Sequence, residues 1–236
     1  MAWVFINAAT GRSTIADAQT GTTTSASMTG ADTLFLIVTN AESASGDPVI
    51  TDNVGGNTWV EVIQTTNAGA THCRIFRAAS AAVSGSMAVT ATTTGENSYF
   101  GLILLGFSGG HASPDNLTAN NTGDAVTSLA VSSPLTPSEN NCLVVAGISF
   151  ARTSGSNSID GGFAATEILG VSSESFGAAG AYLIQTTATA AQPTWSWSGS
   201  DDAATNLASF KSAAGGGGAP GPVVRTVSFN YQRIQY

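Results

Sequence analysis

The chain has 236 residues and a formal net charge of −8, and only 9% of its residues are charged, against roughly 25% in an ordinary soluble domain. That length is enough for one large β-sandwich or two small domains around a sizeable core. An acidic chain without clustered Lys and Arg excludes the phosphate neutralisation on which nucleic-acid binding rests, and no run approaches the roughly 20 apolar residues of a membrane-spanning helix.

In chain order, Met1-Ala-Trp-Val-Phe-Ile6 has neither the basic residues nor the apolar length of a secretory signal, and Trp3 to Ile6 reads as a short first strand. Residues 10 to 31, rich in Thr, Ser, Ala and Gly, predict a weak strand or an extended arm. Leu34 to Asn40 is a strong strand, and Asp47-Pro48 marks a turn before Val49-Ile50. Asp52-Asn-Val-Gly-Gly-Asn57 is a tight turn whose glycines accept positive φ. It leads into Trp59, Glu61 and Ile63 alternating with Val60 and Val62, a hairpin signature. Tyr99 to Ser108 is the most apolar run of the chain. Bounded by Glu96-Asn97 and Gly109-Gly110, it predicts a central strand covered on both faces. Gly109 to Ser128, with Pro114 and the run Asn116 to Asp124, predicts a long polar connection to a second half.

That second half repeats the first. Leu34–Val38 has a counterpart in Cys142–Ala146, Arg74–Ala78 in Ala181–Gln185, Met87–Ala91 in Thr194–Ser198, and Tyr99–Ser108 in Ala204–Lys211. The expected fold is all-β, an antiparallel, jelly-roll-like β-sandwich over residues 1–213. It is built from two similar halves, about 30–110 and 128–212, because neither unit buries its apolar face alone. A Gly/Pro linker, 214–222, then detaches an extended C-terminal arm, 223–236.

Several residues invite a chemical reading. Cys73 and Cys142 suit buried thiols better than a disulfide, and two cysteines do not make a zinc site. Gly106-Phe-Ser-Gly-Gly110 is a literal G-x-S-x-G, yet the chain after Ser108 reads His111-Ala-Ser-Pro, loop chemistry where a nucleophile elbow needs a helix. Asp47, Asp52, Asp160, Asp201 and Asp202 sit in expected turns without the spacing of a calcium loop; solvated turn carboxylates are the better reading, with the Asp201–Asp202 pair alone worth testing. Asn116-Leu-Thr118 and Asn120-Asn-Thr122 match the glycosylation pattern but lack a signal peptide beside them. No catalytic, cofactor or metal site is expected. Trp195 and Trp197 share one face of a strand, and with Trp59 they suit a glycan platform or, more often, core or interface packing.

The arm carries the main functional expectation. Val227, Phe229 and Tyr231 alternate on one face, Arg225 and Arg233 give it positive charge, and Tyr236 ends it; all fifteen acidic residues lie at or before Asp202. Fourteen residues do not fold alone, so this segment needs a partner edge, most simply on a neighbouring subunit, with folding back onto its own sandwich as the alternative.

The apolar strand, the Asp-Asn-x-Gly-Gly-Asn-Thr-Trp turn, the Met-Ala-Val-Thr-Ala-Thr strand of 87–92 and the closing strand ending in Phe-Ser-Gly together resemble a β-sandwich module of tailed-phage virion proteins and bacterial surface proteins, over about residues 30 to 212. The resemblance implies a structural or adhesive unit and carries over no catalytic residue. With a Thr- and Ser-rich surface and no export signal, the expectation is a capsid decoration or cement protein. It would be synthesised in the host cytoplasm and placed on the outer surface of the virion, as a homo-oligomer bound to the major capsid protein or to copies of itself. A tail or fibre component, or a carbohydrate-binding adhesive module, is the alternative.

Overall fold

A computed structural model describes residues 2–13, 19–41, 47–67, 71–79, 83–93, 99–151, 157–171 and 176–213. Among them the chain forms strands and no helix. The first ten strands are β1 (Val4–Arg12), β2 (Thr20–Thr23), β3 (Ala26–Ser27), β4 (Thr33–Ala41), β5 (Val49–Asp52), β6 (Trp59–Asn67), β7 (Thr71–Ala79), β8 (Ser86–Met87), β9 (Val89–Thr92) and β10 (Tyr99–Ser108). The remainder are β11 (Gly110–Ala130), β12 (Cys142–Phe150), β13 (Asn157–Ile159), β14 (Ala164–Val171), β15 (Phe176–Gln185) and β16 (Thr194–Ser212). Hydrogen bonds join the first half into an eight-stranded antiparallel sheet, β5-β9-β2-β1-β10-β4-β7-β6, and the second into a six-stranded one, β11-β16-β12-β15-β14 with β13 on β16.

Side chains alternate across a strand, and here both faces of the central strands are buried. Along β10, Phe100, Leu102 and Leu104 enter a cluster inside the curl of the first sheet, whereas Ile103, Leu105 and Phe107 enter a cluster between the sheets. Strand β4 divides in the same way, Leu34, Leu36 and Val38 against Phe35 and Ile37. Across the interface, β12 sends Leu143 and Val145 to the shared cluster and Val144, Ala146, Ile148 and Phe150 to a third cluster on the far side of the second sheet. This double burial is why these strands read as unbroken apolar runs.

The sheets approach closely because Gly147 and Gly180 are cross-strand neighbours on β12 and β15. A Cβ on Gly180 would lie 2.6 Å from Ile37 Cδ1, and one on Gly147 would lie 2.9 Å from Ile37 Cγ2. The glycine pair is thus the hole that Ile37 fills. Beside it runs a buried polar seam. Thr65 donates to Asn206 Oδ1, Asn206 Nδ2 donates to the Cys73 carbonyl at 2.7 Å, and Thr71 and Ser149 share a hydrogen bond. A one-residue slip of either sheet would leave these buried groups unpaired, so the seam sets the register between sheets.

Both long strands of the second sheet pair in two stretches: Gly110–Gly123 of β11 pairs with the second part of β16 and Val126–Ala130 with the first, to which β13 also adds.

One expectation is corrected. Gly109 to Ser128 is not a loop: Gly109, at φ 87°, turns the chain, and β11 follows at once. An edge strand with one face largely in water keeps Thr and Asn outward and needs only occasional inward residues, here Ala119 and Leu129. The second sheet therefore begins at Gly110, eighteen residues before the expected start of the second half at 128.

Candidate functional site

The Asp52 turn is the most structured polar feature on the surface. Its Oδ1 accepts the N–H groups of Val54 and Gly55 at 3.1 and 2.7 Å, and its Oδ2 accepts Asn57 Nδ2 and Trp59 Nε1 at 3.1 and 3.0 Å. Gly55 and Gly56 sit at φ 75° and 84°, where L side chains are strained. The motif clasps the end of β5, one edge of the first sheet, to the start of β6, the other edge. Trp59 is half-buried over the inner cluster and its indole N–H is committed to this clasp. Between β13 and β14, Gly161 and Gly162 sit at φ 71° and 78° after Asp160, whose Oδ1 accepts the Thr194 N–H at 2.7 Å.

On β7, Arg74 is buried and its Nη1 reaches Asp47 at 2.7 Å and Glu61 at 2.9 Å. A guanidinium out of water needs such partners. Asp115, on β11, is a second internal charge. It accepts the Ser138 N–H at 2.7 Å, the Ser138 hydroxyl, and Ser209 Oγ at 3.0 Å, with Lys211 Nζ 3.5 Å away. Burial pushes its carboxyl upward, but the donors from Ser138 and Ser209 and the Lys211 charge outweigh that and hold it below the usual carboxylate range.

Trp195 and Trp197 do share a face, and that face is inward. They are 1% and 6% exposed, within the outer cluster of the second sheet, and Trp197 meets Phe150 edge-on with ring centroids 4.8 Å apart. Neither offers a ring face to a sugar. Cys73 and Cys142 are buried free thiols, and burial raises both above an ordinary thiol, Cys73 strongly. Ser108 ends β10 beside Val4, at the opposite end of the sheet from His72, which pairs with Asn40 and hydrogen-bonds Thr66. Among the described residues no three His, Cys, Asp or Glu side chains gather as metal ligands. Asp201 is buried rather than solvated, whereas Asp202 is part-exposed and accepts the Ala125 N–H at 2.7 Å.

Both ends of the described body meet at one place. Ala213 donates to the Gly109 carbonyl at 3.1 Å, and the Ala2 carbonyl packs so closely on Gly109 that a Cβ there would lie 2.1 Å from it. At the same end of the second sheet lies a cavity of about 360 Å³, floored by Phe163, Leu183 and Ala191 and rimmed by Thr187 and Gln192. Buried Gln185 lines it. The expected partner-binding residues Arg225, Val227, Phe229, Tyr231, Arg233 and Tyr236 lie outside the described residues. Sequence reasoning missed Gln185 and Asp115, which have no motif; each is found only once the strands are paired.

These features define an all-β protein of antiparallel sheets whose buried polar groups serve packing and register. Comparison with known proteins finds no matching family model, no matching curated protein and no matching solved structure.

Proposed function

We propose that this chain is a virion structural protein of a tailed phage, a capsid decoration or cement protein whose β-sandwich body is held to its neighbours through the C-terminal arm. The observation that carries this reading is where the body ends. Ala213 closes against Gly109, on which Ala2 also packs, so the described body ends there, and the sequence beyond it carries Arg225 and Arg233 in a chain whose acidic residues all precede them. A basic C-terminal segment on an acidic body suits attachment to a surface built from many copies. The sequence counterparts between the two halves support a further part of the proposal, that the body arose by duplication of one module, with the two copies packed back to back across the shared cluster.

Deleting residues 214–236 tests the anchoring role. The shortened chain keeps its β-sheet circular dichroism and loses binding to purified particles; binding that survives the deletion contradicts the reading. The adhesive alternative has lost Trp195 and Trp197, whose rings are inside, and Trp59 is held by Asp52.

A further inference from the structure

Among the described residues no ladder joins β5 to β6, the two edges of the first sheet. Side chains bridge them instead, and the bridging groups on the β5 side are carboxylates. Asp47 precedes β5 and Asp52 ends it. Asp52 reaches Asn57 Nδ2 and Trp59 Nε1 at 3.1 and 3.0 Å, and Asp47 reaches Arg74 Nη1 on β7, the neighbour of β6, at 2.7 Å. On its other side β5 has only its four residues paired with β9, and Ile50 is the one β5 residue packed against the inner cluster.

Arg74 makes this bridge sensitive to acid. Its side chain is 4% exposed and lies on the face of β7 that carries Phe76 and Ala78 into the inner cluster. Its Nη1 has two carboxylate partners, Asp47 and Glu61, while its Nε has no partner among the described residues. A guanidinium keeps its charge in a protein, whereas carboxylates lose theirs in acid. A buried ion stripped of its partners is strongly destabilising, and water is the nearest relief. The Asp47 side chain is 85% exposed, so it takes up a proton directly from solvent. His72, two residues from Arg74 on the same face of β7 and hydrogen-bonded to Thr66, gains positive charge as pH falls and adds to the repulsion. Strands β2, β4 and β9 bring no further acid or base.

We propose that the seam between β5 and β6 is an acid-released latch. Protonation of Asp47, Glu61 and Asp52 lifts β5 away from β6 and β7, so that water reaches Arg74, while the central strands β4 and β10 stay packed. The seam is shut at neutral pH and opens as pH falls through the carboxylate range, uncovering Ile50 and Trp59. The latch is independent of the attachment role proposed above.

Trp59 reports the seam in the full chain, because Trp3, Trp195 and Trp197 are 3%, 1% and 6% exposed. Tryptophan emission is quenched with acrylamide, a neutral probe, from about pH 7 to about pH 3.5, with far-UV circular dichroism followed on the same samples. The expected result is a quenching constant that rises while the β-sheet signal is retained. The double variant Asp47→Asn/Asp52→Asn, neutral at both positions, shows the raised constant already at neutral pH. Arg74→Met removes the buried charge and with it most of the response. Because Arg74→Met alters a buried residue, Glu61→Gln serves as a further variant at a part-exposed position, and it moves the response to higher pH. A constant that stays level, a rise that coincides with loss of the β-sheet signal, or an undiminished response in Arg74→Met overturns the proposal. So does a double variant that matches the unaltered protein at neutral pH, or an unmoved response in Glu61→Gln.

Discussion

Asp115 shows how a single charged residue is made tolerable inside a β protein. Three donors from Ser138 and Ser209 and the Lys211 ammonium satisfy its oxygens, so the cost of burial is met locally and the carboxyl titrates below its ordinary range. A carboxyl depressed in the folded state contributes stability above its unfolded pKa, about 3.9, and loses it as pH falls through the folded value. Asp115→Ala should therefore destabilise the protein by about 2–4 kcal/mol at pH 7. The gap to the unaltered protein should narrow only below about pH 4, as followed by urea unfolding across pH; a gap that stays constant down to pH 2 speaks against a charged Asp115. Asp52 makes a parallel case at the surface. Asp52→Ala removes four accepted hydrogen bonds and should cost about 1–2 kcal/mol, with a red shift in emission as Trp59 leaves its clasp. An unshifted spectrum would show that packing alone holds the indole.

At the level of elements, the glycine pair and the isoleucine between the sheets set how near the two halves come. Gly180→Ala places a methyl 2.6 Å from Ile37 Cδ1 and 3.1 Å from Ile103 Cγ2, in a core without room to yield. The expected cost is about 1–3 kcal/mol by chemical denaturation, partly relieved by adding Ile37→Val; additive losses in the double variant argue against direct contact. The elements differ in how legible they were. Strands β4, β10 and β12 announce themselves because burial on both faces favours apolar residues at most positions. Strand β11 does not, since an edge strand with one wet face takes Thr and Asn as readily as a loop does, and Pro114 falls at a register shift rather than at a chain reversal. The face shared by Trp195 and Trp197 follows from their spacing of two, but whether that face looks in or out depends on what packs over it, here Phe150 and Phe163. Gln185 and Asp115 stayed silent for a related reason: an isolated Gln or Asp reads as surface until tertiary pairing encloses it.

For the molecule as a whole, the described residues form a body packed through both of its main sheets. Three clusters stacked through two sheets leave little that moves at the centre, and the register is locked by the Thr65–Asn206–Cys73 seam. Such a body resists deformation, and repeated over many copies its contacts would stabilise a shell by mass action, with no bond made or broken. The most direct test of this account is quantitative mass spectrometry of purified particles, measuring this chain against the major shell protein. The account predicts that the chain co-purifies in hundreds of copies per particle. A handful of copies would place it in a tail or fibre, and absence from the particles would contradict the structural role altogether.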